Sequence, residues 1–435
     1  MVSVNGVYNE IKKDKQIWKF CSYGLLKNLK FFEPYLFIYL MSLEMSLFNI
    51  GILYAIREAV VYVFEVPSGI IADTYGKKKE LMICFTFYIV SFIFFFLAGN
   101  FYLLIIAMIF FGLGEAFRSG THKAMILTYL EQKNWFMHKT FVYGRTRSFS
   151  LIGSSISAFV SIIFVLSLPD LRWLFLICII PYILDFLLIA SYPDSLDERR
   201  ESNLNLKTFY ISGFLRLKSI YTNKKLSKVL LSSSMYDSIF KSIKDYIQPI
   251  MASMLLTAAA LSIANLGSDD MVKVLLGIVY GVFYIFSSLA SRNVYHLNKL
   301  ASSGKLMTRL FDIMALASVL IFVFVNSNQT LAVIGVFFIL YIAKDARRPL
   351  FLDVCGDNMN KDERATAMSI DSMLTALFMV FFAPLCGFIA DHFSISTLFL
   401  IIGIFIIIVN RFLDISKLDQ QEMEQDSTDK DISLR

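Results

Sequence analysis

The sequence is poor in the residues that disulfide scaffolds and metal sites require. It has five Cys, four His, three Trp and eight Pro in 435 residues. An odd number of widely spaced cysteines excludes a disulfide-stapled scaffold. No group of His, Cys and Glu has metal-ligand spacing, and no glycine-rich loop followed by Lys and Ser or Thr indicates a nucleotide site. We therefore expect no metal, no cofactor and no ATP-driven activity.

Charge is also scarce. Charged residues make up 17% of the chain, against about 25% in a soluble domain. Hydrophobic residues make up 57%, and the mean hydropathy is +0.62. This much apolar surface excludes a disordered chain, and a scattered net charge of +6 excludes a nucleic-acid footprint. The expected environment is a lipid bilayer, so the placement of the 41 basic and 35 acidic residues carries the information.

Long apolar runs dominate what is present. A helix needs about 20 mostly apolar residues to cross a bilayer, and twelve such windows occur. They predict an all-α integral membrane protein with twelve transmembrane helices, whose 42 Phe are expected mostly to face lipid. The first, seventh and tenth windows contain several charges and are the least clear. The spans are placed at 21–43, 48–71, 80–99, 101–127, 142–167, 171–191, 229–253, 271–291, 306–325, 330–351, 366–390 and 395–414.

Basic residues in short loops predict the orientation. Lys and Arg concentrate on the cytoplasmic side of membrane proteins. The loops after odd-numbered spans hold almost none, with Arg172 and Lys273 as exceptions. Both termini are therefore expected in the cytoplasm, and the frequent Lys, Ile and Phe are typical of an AT-rich bacterium with this protein in its plasma membrane. The loops after even-numbered spans contain Lys77, Lys78, Lys79, Lys133, Lys139, Arg292, Lys299 and Lys305.

The order of spans predicts four regions. These are an N-terminal six-helix bundle at 1–191, a cytoplasmic linker loop at 192–228, a C-terminal six-helix bundle at 229–414 and a cytoplasmic tail at 415–435. A short repeat supports the division, because Lys27 and Lys30 in the first span match Lys241 and Lys244 in the seventh at an offset of 214. Two further short matches have offsets of 229 and 219. The repeat predicts an internal duplication and hence pseudo-twofold symmetry.

One loop has a recognisable signature. Between the second and third spans the sequence reads Gly-Ile-Ile-Ala-Asp-Thr-Tyr-Gly-Lys-Lys-Lys. This resembles the G-x-x-x-D-x-x-G-[RK]-x-[RK] loop of the major facilitator superfamily. The first glycine is expected to let two helices approach closely, and the second to permit a tight turn. The gate residues that the resemblance implies are Gly69, Asp73, Gly76, Lys77 and Lys79.

The resemblance implies a fold and a mechanism. Two six-helix bundles would enclose a cavity lined by spans 1, 4, 7 and 10, and the halves would rock around a midplane site. Asp73 and Lys77 would belong to the inner gate. Proton antiporters of this family commonly carry a Gly-Pro-rich stretch in span five, whereas here Gly153 is followed by no Pro within the span. That departure weakens an assignment as a drug antiporter.

Nineteen of the charged residues in the predicted spans are assigned to the membrane interior, nine basic and ten acidic, with Asp185 of the sixth span among them. Charges in a membrane interior are costly and face the protein or a water-filled path. They cluster on spans 1, 4, 7 and 10, where they either bind substrate or only pair with one another. Helical spacing predicts that the acids and lysines of the seventh span share one face, with i,i+4 pairs of opposite sign. The substrate-cavity candidates are Lys30, Arg57, Glu115, Arg118, Asp237, Lys241, Lys244, Asp245 and Lys344.

Glu33 is the candidate for proton coupling. It lies near the middle of the first span, immediately before Pro34, where a partly dehydrated carboxyl can bind and release a proton. The cavity lysines favour an anionic or zwitterionic metabolite, or an amphiphilic drug, over a simple cation.

The sequence thus predicts a secondary active transporter of a small organic solute rather than an enzyme. We expect it to be coupled to protons and to be a monomer. Two alternatives stay open at this stage. One is a sensor or receptor that uses the transporter fold, and the other is an integral-membrane enzyme that acts on lipid substrates. The sequence does not separate import from export.

Overall fold

A computed structural model describes residues 4–197, 224–257, 268–293, 301–357 and 361–415. Within these ranges every regular element is helical. The first nine α-helices are α1 Val4–Lys13, α2 Lys15–Leu26, α3 Leu36–Ser42, α4 Leu47–Tyr75, α5 Lys77–Leu97, α6 Phe101–Arg118, α7 Thr121–Gln132, α8 Lys139–Ser167 and α9 Trp173–Ala190. The next seven are α10 Lys224–Ile243, α11 Ile247–Thr257, α12 Ser268–Asn293, α13 Ser303–Asn326, α14 Thr330–Asp357, α15 Lys361–His392 and α16 Ile395–Phe412.

Nine helical stretches in the described residues are long and apolar enough to cross a membrane. They correspond to nine of the twelve predicted spans. The three that do not qualify are the first, seventh and tenth, which are the spans with several charges. The multi-pass helical membrane architecture is therefore confirmed, and the count of twelve is consistent with it.

The described residues form two compact units. One draws on the ranges Met1–Met45, Ile52–Leu206 and Ala259–Ile285, and the other on Ser46–Gly51, Lys207–Ala258 and Phe286–Arg435. The predicted linker and tail lie largely outside the described residues, so the division at 192–228 stays a prediction.

The first predicted span is interrupted rather than continuous. Helix α2 ends at Leu26, a turn follows, and the 3-10 turn Glu33–Tyr35 leads into α3. Pro34 lies at the start of the 3-10 turn, where its missing N–H costs nothing, and it prevents a regular helix from continuing back through the preceding turn. The last turn of α2 has carbonyl groups without helical partners. Asn28 satisfies one of them, because its side-chain amide donates to the carbonyl of Gly24 at 2.6 Å.

The seventh predicted span is interrupted in the same way. Helix α10 ends at Ile243, and the 3-10 turn Lys244–Tyr246 joins it to α11. Pro249 lies in the first turn of α11, where its missing N–H costs nothing. The 3-10 turns begin at Glu33 and Lys244, so the two interruptions are 211 residues apart, close to the repeat offset of 214.

Two glycines bring α2 and α8 into backbone contact. A Cβ on Gly153 would lie 2.6 Å from the carbonyl oxygen of Leu25. A Cβ on Gly24 would lie 2.8 Å from Ser150 Oγ and 2.9 Å from the carbonyl oxygen of Thr146. Small residues at such crossings let membrane helices approach closely, and here they fix α8 against the helix that leads into the first interruption.

The Phe of the described residues divide between the protein interior and its surface. Sixteen are buried, eight are exposed and the others are half-buried, so the expectation that most Phe face lipid stays a prediction. Several form a stacked core, in which the Phe175 ring lies 4.7 Å from that of Phe95 and 4.8 Å from that of Phe32. A helix inside a bundle has neighbours on more than one side, so its aromatic residues pack against other helices as well as lipid.

Candidate functional site

The first interruption places Lys30 beside Glu115 of α6. The Lys30 Nζ lies 3.4 Å from Glu115 Oε1 and 5.1 Å from the centre of the Phe111 ring. Because Lys30 lies in the turn between α2 and the 3-10 turn, its reach toward α6 depends on the break. Two residues from predicted spans 1 and 4, placed together by sequence reasoning, are in contact.

Arg118 completes this cluster. Its guanidinium pairs with the second carboxylate oxygen of Glu115, one helical turn away, and its Nε donates to the Tyr88 hydroxyl at 3.2 Å. The three charged side chains, of Lys30, Glu115 and Arg118, are 20%, 23% and 30% exposed. Two cations share one carboxylate, so the cluster carries an excess positive charge and is not sealed from its surroundings.

Arg57 is held by its own neighbour in sequence. Its Nη2 lies 2.8 Å from Glu58 Oε1, and its guanidinium lies 5.0 Å from the centre of the Tyr54 ring. The Glu58 side chain is only 7% exposed. This pair therefore resembles a structural ion pair of α4 more closely than the cluster around Glu115 does.

Glu33 is the first residue of the 3-10 turn and is half-buried. Its position beside Pro34 at the interruption keeps it off any continuous helix face. The carboxyl therefore sits at the point in the first span where the backbone is least regular, three residues beyond Lys30.

The second interruption carries its own ion pair. Lys244 Nζ lies 2.8 Å from Asp245 Oδ1, and the Asp245 side chain is 10% exposed. The expectation of one continuous charged face across span seven is wrong, because the helix ends at Ile243 and both residues lie in the 3-10 turn. Asp237 and Lys241 remain on α10, one helical turn apart.

Lys344 of α14 faces α10. Its Nζ lies 3.0 Å from Asp345 Oδ1 and 6.0 Å from the centre of the Phe240 ring. The candidates on predicted spans 7 and 10 therefore lie near one another. Together with Asp345 the set is balanced, since it holds three lysines and three aspartates.

Arg347 is a feature that sequence reasoning did not single out. It is 2% exposed, its Nη2 donates to Ser232 Oγ at 2.8 Å and to the Ser232 carbonyl at 3.0 Å, and its guanidinium lies 4.3 Å from the Tyr236 ring centre. It ties α14 to α10 through carbonyls and an aromatic face. The neighbouring Arg348 pairs with Asp371 of α15 at 2.7 Å.

The signature loop is anchored by residues that follow α9. Gly76 has φ of +103°, a conformation that a side chain disfavours, and a Cβ there would collide with the Asp197 carboxylate. Asp197 Oδ1 accepts from the backbone N–H of Lys78 at 2.9 Å, and Lys78 Nζ lies 2.9 Å from Asp194 Oδ1. Sequence reasoning used Lys78 only to predict the orientation and gave no role to Asp194 or Asp197. The sequence signal for this anchor was the pair of acids, Asp194 and Asp197, that follow the sixth span.

The other loop residues are less constrained. Among the described residues, no atom outside its own helical segment comes within 4 Å of a Cβ built on Gly69, so the close helix approach expected at this glycine stays a prediction. Lys77 and Lys79 are the first and third residues of α5, with Lys79 exposed and Lys77 half-buried. Asp73 lies near the end of α4, and its side chain is outside the described part.

Comparison with known proteins gives consistent matches. The sequence model of the Major Facilitator Superfamily matches residues 20–343. An uncharacterized MFS-type transporter of Bacillus subtilis (strain 168), YxaM, is 22% identical over 394 residues, which cover 89% of this chain and 93% of that protein.

Two solved structures share the fold. A mutant of the nucleoside transporter NupG aligns with a TM-score of 0.76 at 14% identity, covering 92% of this chain and 98% of the other. A POT family transporter in complex with 5-aminolevulinic acid aligns with a TM-score of 0.64 at 13% identity, covering 92% and 93%. At these identities the likeness concerns the fold alone.

Proposed function

Because the chain belongs to the major facilitator superfamily, we propose that it is a secondary active transporter that moves a small organic solute by alternating access. The family makes it a multi-pass membrane transporter with a small-molecule substrate. The observation that carries the mechanism is the pair of interrupted helices, each with a lysine beside a carboxylate. Discontinuous membrane helices in transporters commonly form substrate and ion sites near the bilayer midplane.

The charge of the two clusters supports an anionic or zwitterionic solute, or an amphiphilic drug. The cluster of Lys30, Glu115 and Arg118 has two cations and one anion, whereas the candidates on α10, the 3-10 turn after it and α14, together with Asp345, hold three lysines and three aspartates. A bidentate guanidinium beside an ammonium is suited to a carboxylate or phosphate. Of the solutes named for the structural neighbours, 5-aminolevulinic acid is a zwitterion at neutral pH, whereas nucleosides are polar but uncharged.

A proton gradient is the proposed energy source, with Glu33 as the coupling carboxyl. Its place at the interruption supports this role, because backbone irregularity in the membrane is tolerated where it lines a water-accessible path. The proposed working form is a monomer with six helices in 1–191, a linker at 192–228, six helices in 229–414 and a tail at 415–435.

The direct test begins with a ligand screen. Purified full-length protein is mixed with carboxylates, phosphates, zwitterions and cations, and stabilisation against heat is recorded. The stabilising compound is then assayed in proteoliposomes under an imposed pH gradient. Substrate uptake accompanied by proton movement supports the proposal, whereas binding without any flux would favour a sensor.

Arg118→Gln is expected to weaken binding of a carboxylate-bearing ligand from that screen by about 10- to 100-fold. A hydrogen bond to a charged group contributes about 1.5–3 kcal/mol, and the substitution also removes the excess positive charge. Binding is measured by titration calorimetry on the purified variant.

The matched control for Arg118→Gln is Arg172→Gln. Arg172 pairs with Asp170 at 3.0 Å, but the two side chains are 44% and 45% exposed, so their ion pair contributes little. Equal loss of affinity in both variants would show that the effect is not specific to the cluster at Glu115.

The proposed location is a bacterial plasma membrane with both termini in the cytoplasm. Cysteine labelling in intact cells tests it on a Cys355→Ser background, since the other four cysteines are buried. A membrane-impermeant maleimide is expected to label Gln329→Cys from outside and to label Lys133→Cys only after permeabilisation. The opposite pattern would invert the topology.

A further inference from the structure

Asp185 of α9 is a fully buried acid, with 0% exposure. Neither carboxylate oxygen has a hydrogen-bond partner among the residues that the structure describes. An ionised carboxylate in such surroundings bears a large desolvation penalty, which only a nearby counter-ion or a bound proton relieves. Sequence reasoning counted Asp185 among the membrane charges and gave it no role.

Lys27 is the basic residue whose backbone lies beside this part of α9, because its carbonyl accepts from the hydroxyl of Tyr182, one helical turn before Asp185, at 3.1 Å. It caps the C-terminal end of α2, and its Nζ lies over the Tyr23 ring, 5.2 Å from the centre, without an ion-pair partner among the described residues. An acid and a base therefore lie within electrostatic reach of each other, and neither is bonded to another side-chain charge.

Other titratable groups lie on the elements that pack against α9. They are the buried Tyr23 of α2, Cys84 of α5 and, just after α9, Tyr192. His122 of α7 stacks on Tyr23 with ring centres 3.6 Å apart, and its Nε2 lies 3.2 Å from the Tyr192 hydroxyl. The further charged groups on the side of Lys27 are Arg147 of α8 and the cluster of Lys30, Glu115 and Arg118.

The face of α9 that carries Asp185 also contacts the first interruption. Cys178, Tyr182 and Asp185 are spaced four and three residues apart and lie on one side of the helix. The Tyr182 hydroxyl donates to the carbonyl of Lys27 at 3.1 Å, and Cys178 Sγ accepts from the backbone N–H of Phe31 at 3.2 Å. One helix face therefore holds both ends of the turn in which Lys30 lies.

We propose that Asp185 is a proton-binding site with Lys27 as its counter-ion, an inference that rests on the proposed proton-driven transport. The ionised acid attracts the Lys27 ammonium. A proton from water adds to one carboxylate oxygen, cancels that charge and releases the lysine. Lys27 begins the turn that carries Lys30. Proton binding at Asp185 therefore changes the electrostatic attraction on the turn that holds Lys30 beside Glu115.

Infrared spectroscopy tests the site without a known substrate. Purified full-length protein carries aspartate labelled with carbon-13 in the side-chain carboxyl, and spectra in acid and alkaline buffer are subtracted. Wild type is expected to show the carbonyl stretch of a protonated buried aspartic acid, and Asp185→Asn to lose it. The matched control is Asp312→Asn, since the Asp312 carboxylate is already hydrogen-bonded by Asn410 at 2.7 Å. Retention of the whole band in Asp185→Asn, or equal loss in Asp312→Asn, overturns the inference.

Lys27→Gln gives a second readout that does not depend on folding of the Asp185 variant. Without the ammonium the ionised acid is less stable, so the band is expected to persist into more alkaline buffer. An unchanged band, or one that disappears in less alkaline buffer, contradicts the pairing.

The two proposals fail in different ways. If substrate flux moves no protons while the aspartic acid band still depends on Asp185, proton-coupled transport is wrong and the binding site stands. If flux remains proton-coupled and is lost in Glu33→Gln but not in Asp185→Asn, with no Asp185 band, the inference is wrong and the proposed function stands.

Discussion

Glu33→Gln is expected to abolish substrate accumulation driven by a proton gradient while leaving substrate exchange intact. Glutamine has the size of a protonated glutamate but cannot release a proton. The transporter would therefore still bind substrate and exchange it, but could not complete the proton-coupled step. Proteoliposomes measure both activities, with an imposed pH gradient for accumulation and labelled substrate outside preloaded vesicles for exchange.

Two variants control the Glu33 result. Glu33→Asp keeps an ionisable group at the interruption and is expected to retain part of the coupled uptake. Glu10→Gln removes an exposed carboxyl from α1 and is expected to leave uptake unchanged. Full gradient-driven accumulation by Glu33→Gln would rule out this residue as the coupling carboxyl.

Gly153→Leu is expected to prevent recovery of folded protein. A Cβ on residue 153 would lie 2.6 Å from the carbonyl oxygen of Leu25 and 3.0 Å from its Cα. Because both are backbone atoms, no side-chain rotation makes room. Overpacking costs about 1–3 kcal/mol and occasionally more, and here a leucine side chain must separate two helices. Size-exclusion profiles and unfolding temperature in detergent measure the effect.

Gly335→Leu is the matched control. Gly335 lies in α14, and a Cβ there meets no described atom outside the neighbouring turns within 4 Å. Because leucine favours helix over glycine by about 0.8–1 kcal/mol, this variant is expected to match or slightly exceed the wild-type stability. Similar stability of both variants would show that the α2–α8 contact is not tight in solution.

Hydropathy located most membrane helices because the cost of burying charge in lipid acts on each segment separately. Nine predicted spans match apolar helices of the described residues. The same calculation is weakest at the first, seventh and tenth spans, where charges lower the apolar average. Those three spans contain most of the substrate-cavity candidates, whereas Arg57, Glu115 and Arg118 lie in spans that remain apolar enough to qualify.

The interruptions were not predicted, although Pro34 was a visible signal. The predicted faces assume a constant rotation about the helix axis from one residue to the next. Residues on opposite sides of a break in the helix no longer follow that rotation. The 3-10 turn also pairs Lys244 with Asp245, its neighbour in sequence, which the i,i+4 spacing of a continuous helix does not predict. The contact between Lys30 and Glu115 was anticipated only at the level of spans.

The sequence by itself determined that this chain lies in a membrane, which spans hold charge and which family it belongs to. Each of these follows from composition and short motifs, which act locally. The tertiary structure decided which charges meet. It joined Lys30 to Glu115 across 85 residues, anchored Lys78 on Asp194 and left Asp185 buried without a hydrogen bond among the described residues. Such pairings depend on where helices end and how they cross, and neither is encoded in the spacing of residues along one segment.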